Sequence, residues 1–138
     1  MKFSDLQVEA KKLNETRDCG VKALAVVTGI SYSEAHAILK RNGRIDRDGT
    51  PNAITRKCLR LLGYKTEVVA VKARTVRTLE REINDPYNTY LVWVSCGRHI
   101  LGMRNGKVVD WTKNRLHRIH KIERVVYVGT ERLAASNK

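Results

Sequence analysis

The segment DCGVKALAVVT (18–28) most constrains how this chain can fold. Val21, Leu24, Ala25 and Val27 recur at helical spacing, and Gly29 follows as a natural helix stop. Such a segment reads as a buried helix. Asp18 stands at its N-cap, which places Cys19 in the first turn, where the backbone N–H groups point outward.

Further punctuation follows along the chain. Ser31 or Ser33 caps a helix over 33–42 with Ala35, Ile38 and Leu39 on one face, and Gly43 ends it. Thr50 caps and Pro51 opens a helix with Ile54, Cys58, Leu61 and Leu62 on its apolar face and Gly63 beyond its end. YKTEVVAV (64–71) is rich in β-branched residues and predicts a strand; a short helix with Leu79 and Ile83 follows over 75–84. TYLVWVSC (89–96) and HILGMR (99–104) predict two strands. Asn105-Gly106 supplies the positive φ angles of a tight hairpin into KVVDW (107–111), and RVVYV (124–128) predicts a last strand. Helices first and antiparallel strands afterwards make an α+β fold.

At 138 residues the chain suits a single domain, with no repeat or linker composition. No apolar run approaches the ~18 residues that a membrane span needs, and no secretory signal is visible, so the expected location is cytoplasmic. Cys19, Cys58 and Cys96 are an odd number without the close pairing of a disulfide framework, which agrees with a reducing compartment. The net charge of +13 implies attraction to an anionic partner, nucleic acid or an acidic protein, and KNRLHRIHKIER (113–124) concentrates cations.

The candidate chemistry converges on Cys19. A helix N-terminus favours negative charge and so lowers a thiol pKa. His99 opens a strand just after Gly97 and is the candidate proton acceptor. With Asn105-Gly106 as the turn, Gly102 opposes Val109 and Leu101 opposes Asp110, so Asp110 lies within diagonal reach of His99 and can orient its ring. Singly, each residue reads as structural: a buried thiol, a strand histidine, a strand-ending aspartate. Their combination points to nucleophilic catalysis. Cys96 and His99 alone do not make the two close ligand pairs of a structural zinc site, and no metal or other cofactor is expected.

The order Cys, His, Asp, carried by DCGVKAL (18–24), DGTPNAITRKCLRLLGY (48–64) and GRHILGMRNGKVVDW (97–111), resembles papain-like cysteine peptidases, particularly the branch that removes double-glycine leaders from bacteriocins. The resemblance covers roughly residues 14–128. It implies a papain-like fold, with N-terminal helices packed on a C-terminal antiparallel sheet, as a stand-alone domain. It also implies Cys19 as nucleophile, His99 as general base and acid, and Asp110 as orienter. The oxyanion glutamine of that family falls here on Leu13; neighbouring Asn14 carries the same amide on a shorter arm. A related cell-wall amidase fold also opens a helix with Asp-Cys.

The expected activity is cleavage of a peptide or isopeptide bond through a thioester, with transfer to another acceptor as a variant. The expected partner is a peptide or protein substrate. The competing expectation is a catalytically weak module that binds nucleic acid or an acidic protein. A phage-encoded protein acting in a host cytoplasm fits this size and charge. Oligomeric state is left open.

Overall fold

The computed structural model describes residues 2–97, 99–109 and 117–129. They form α1 (Phe3–Lys12), α2 (Cys19–Thr28), α3 (Tyr32–Arg41), α4 (Asn52–Leu61), β1 (Tyr64–Val68), α5 (Val76–Ile83), β2 (Thr89–Val94), β3 (His99–Arg104), β4 (Lys107–Val109) and β5 (Ile119–Tyr127). The strands make one antiparallel sheet in the order β1-β5-β2-β3-β4, so the architecture is α+β.

Alternation along the strands divides the sheet between two cores. Leu91, Trp93, Ile100 and Val125 meet the buried faces of α1 to α4, whereas Val92, Val94, Leu101, Met103 and Ile122 meet Val76 and Leu79 of α5. Helix α5 therefore covers the face opposite the N-terminal helices. Helix α2 is the most buried element, with Val21, Leu24, Ala25 and Val26 inaccessible to solvent. It approaches β3 so closely that a Cβ on Gly102 would sit 2.6 Å from Val26 Cβ and 3.1 Å from the Ala23 carbonyl oxygen. Only a residue without a side chain permits this approach.

Most expected boundaries lie within two residues of the observed ones, and the caps show why. Ser31 accepts a hydrogen bond from the Glu34 N–H at 3.1 Å, Thr75 caps α5, and Gly29 ends α2 at φ +79°. Asn105 and Gly106 turn the hairpin at φ +54° and +75°, and β4 pairs with β3 in the expected register, Gly102 opposite Val109. Three details differ. Thr50 does not cap α4, which starts one residue later behind Pro51; the threonine packs on Gly20 instead. Helix α1 went unread because only Leu6 and Ala10 of its ten residues are buried. Strand β5 begins at Ile119, so Lys121 and Arg124, which read as part of a basic patch, stand on the sheet.

A buried clasp ties the chain between α1 and α2 to the loop after α3. The Arg44 guanidinium donates two hydrogen bonds to the Glu15 carboxylate, at 2.8 and 3.1 Å, and His36 Nε2 lies 2.7 Å from the same group. Burial alone would raise the Glu15 pKa; Arg44, the Arg47 N–H and His36 outweigh it and hold it at about 2. Glu123, buried beneath Arg56 and the Trp93 indole, is likewise held at about 2: burial raises its pKa, but the hydrogen bonds of Arg56, Thr66 and Trp93 outweigh it. Both carboxyls are depressed, so the stability they contribute is complete above their ordinary value of 4.5 and is lost as pH falls toward 2.

Two outcomes follow for stability. Glu15→Gln strands the Arg44 charge and should cost about 3–5 kcal/mol in urea unfolding, much of it recovered in Glu15→Gln with Arg44→Met. Gly102→Ala should cost about 1–3 kcal/mol by forcing α2 off the sheet; an unchanged midpoint would refute the tight seat.

Candidate active site

Cys19 is the first residue of α2 and is half-buried. The helix starts here although the Asp18 side chain does not cap it. The Asp18 carboxylate instead accepts the Tyr32 hydroxyl at 2.7 Å and pairs with Lys22 at 3.1 Å. Burial and the Asp18 carboxylate push the Tyr32 hydroxyl pKa well up, so Tyr32 stays a donor. The consequence is a helix entrance anchored to α3 with its first-turn N–H groups left for other acceptors.

The Cys19 sulfur uses that setting. Burial raises its pKa, but a hydrogen bond with the His99 side chain, the Ile100 backbone, the His99 charge and the Gly20 backbone together bring it below the ordinary thiol value. Cys19 and His99, separated by 80 positions in sequence, thus meet where the N-terminus of α2 reaches the start of β3. The seat of α2 on Gly102 fixes this meeting, because it sets how close the helix lies to the strand that begins with His99.

The chain enters β3 through an unusual turn. Ser95, Cys96 and Gly97 all lie in the left-handed region, with φ of +52°, +57° and +83°. Two successive non-glycine residues there cost about 1–2 kcal/mol each, which the surrounding sheet has to offset. The turn ends two residues before His99 and so sets where the imidazole emerges. The His117 ring lies beside it, with centroids 6.1 Å apart. His117 is the neighbour that the sequence did not single out, since it precedes β5 within a run of basic residues.

Asp110, the expected orienter of His99, lies outside the described residues. Leu13 and Asn14 are both exposed; Asn14 adopts φ +52° at the end of α1, and its N–H donates to the Lys11 carbonyl. A different polar group stands at the helix entrance. Thr50 Oγ1 is buried without a hydrogen-bond partner among the described residues, and a Cβ on Gly20 would lie 2.8 Å from it. Gly20 is therefore glycine because Thr50 occupies the space its side chain would need.

Glu15, His36 and Asp46 are the described group with metal-ligand chemistry, each offering an atom within 4.8 Å of the others. Arg44 and Lys40 already neutralise the two carboxylates, at 2.8 and 3.0 Å, so this cluster is an ion-pair network. Cys58 is buried on α4 and Cys96 is exposed. Burial raises the Cys58 pKa, whereas that of Cys19 is held below the ordinary value. No protein-family model matches the chain, and no curated protein or solved structure is significantly similar to it.

Alkylation by iodoacetamide at pH 6 should select Cys19 over Cys58 and Cys96, and His99→Ala should slow it on the order of tenfold by returning the thiol toward its ordinary pKa. Equal, slow labelling of all three cysteines in the peptide map would contradict this.

Proposed function

We propose that this protein is a papain-like cysteine peptidase or amidase in which the Cys19 thiolate attacks a peptide or isopeptide carbonyl. The observation that supports this reading most is the Cys19 thiol hydrogen-bonded to His99 at the start of the most buried helix, with its pKa below the ordinary value. In this mechanism His99 takes the thiol proton, and the thiolate adds to the carbonyl carbon. The Cys19 N–H, an orphan donor of the first turn, faces the developing oxyanion. His99 then gives its proton to the leaving amine, a thioester remains on Cys19, and a water activated by His99 hydrolyses it. Asp110 is proposed to orient His99, and Asn14 to add a second oxyanion donor.

A catalytically weak module that binds nucleic acid or an acidic protein is the second reading. Its support is the net charge of +13 together with the exposed Leu13 at the position where the resemblance expects an oxyanion donor. Among the described residues, no helix is long and apolar enough to cross a membrane.

Digestion of a mixture-based peptide library, read by mass spectrometry, should yield new termini with the wild-type protein and none with Cys19→Ala or His99→Ala. A thioester trapped on Cys19 should appear during turnover. No cleavage and no acylation, combined with a salt-sensitive nucleic-acid gel shift that survives Cys19→Ala, would select the second reading.

A further inference from the structure

Strand β1 is an outer strand of the sheet, paired on one side with β5. The Val128 N–H donates to the Gly63 carbonyl and the Val69 N–H to the Ile122 carbonyl, so residues 63, 65, 67 and 69 turn their backbone groups toward β5. By alternation, the N–H and C=O groups of Tyr64, Thr66 and Val68 point away from the sheet. None of them bonds to another described backbone group. Such an edge is a template for one more strand.

The surroundings of this edge select its occupant. A cleft of about 350 Å³ lies between α4 and β1, lined by Arg56, Leu59, Arg60, Tyr64, Lys65 and Thr66. Leu59 and the Tyr64 ring give it an apolar floor, and the Tyr64 hydroxyl is held by the Thr28 carbonyl at 3.2 Å. The Arg56 charge is spent on Glu123 at 2.8 Å. Lys65 and Arg124 share the single carboxylate of Glu67, at 3.4 and 3.0 Å. Arg60 is exposed on the rim and pairs with no described acid, so the edge carries an excess of positive charge. Val68 and Tyr127, 70% and 64% exposed, add apolar surface at its two ends.

We propose that the outer edge of β1 binds an extended acidic peptide segment, which joins the sheet as a further strand with a carboxylate side chain at Arg60 and Lys65. Backbone hydrogen bonds supply the register, and the cleft takes one side chain of the incoming strand. A second copy of this chain fits the edge poorly: full antiparallel pairing of β1 with itself sets Lys65 opposite Glu67, but the unpaired Arg60 and net positive charge of both edges are brought together. The site lies on the strand farthest from β3 and β4 in the sheet order, so it is independent of the Cys19 chemistry.

The test uses the full chain and a short synthetic peptide alternating valine and glutamate, with two controls: the same peptide with lysine for glutamate, and one N-methylated on alternate backbone amides. Fluorescence anisotropy should show saturable binding of the acidic peptide alone, weakened at least about tenfold by Arg60→Glu. Hydrogen exchange should show protection of the Thr66 and Val68 amides on binding. Equal binding of the N-methylated or lysine peptide, or indifference to Arg60→Glu, would overturn the proposal. So would protection of these amides in the peptide-free protein through self-association, or binding of a single-stranded oligonucleotide that protects the edge as the peptide does.

Discussion

The contact between α2 and β3 at Gly102 is the constraint on which the arrangement depends. A helix that packs on a sheet through ordinary side chains stands off by the width of two side-chain layers. Here the strand contributes no side chain at position 102, and Val26 and the Ala23 carbonyl occupy the space where a Cβ would lie. The helix sinks onto the strand, and its N-terminal residue comes within hydrogen-bonding reach of the strand's first residue. The second close approach, of Gly20 to Thr50, fixes the same end of the helix from the α4 side. Two glycines thus set the position of one thiol.

Electrostatics then decides what that thiol is. Burial alone would make Cys19 an inert core cysteine, as it does Cys58 on α4. The difference lies in directed partners: the His99 ring and the backbone groups of Ile100 and Gly20 all stabilise the thiolate. The nearby acids are engaged elsewhere. Asp18 is bound by Tyr32 and Lys22, and Glu15 by Arg44 and His36, so these carboxylates hold the scaffold.

Much of this was legible in the sequence where a residue type has one dominant local use. Gly29, Ser31 and Asn105-Gly106 marked turns and caps, and the hairpin register followed from the two turn residues. Cys19 at a helix start and His99 at a strand start were both identifiable from local pattern. What the sequence hid was tertiary. Thr50 read as a cap, yet its hydroxyl is turned against Gly20. Helix α1 buries too narrow a stripe to signal itself, and the first half of β5, residues 119–123, lay among the cations of the basic run. Glu15 and Arg44 look like surface charges until burial pairs them.

The central claim is a Cys19 thiol that, hydrogen-bonded to His99 at the junction of α2 and β3, ionises below the ordinary thiol value. Its most direct measurement is a pH titration of the protein with carbon-labelled cysteine and nitrogen-labelled histidine, followed by NMR. The account predicts that the Cys19 Cβ resonance titrates below the ordinary thiol value, that the His99 ring nitrogens report the same step, and that His99→Ala moves the Cys19 step up. A Cys19 step at or above the ordinary thiol value, or one that His99→Ala leaves in place, would contradict it.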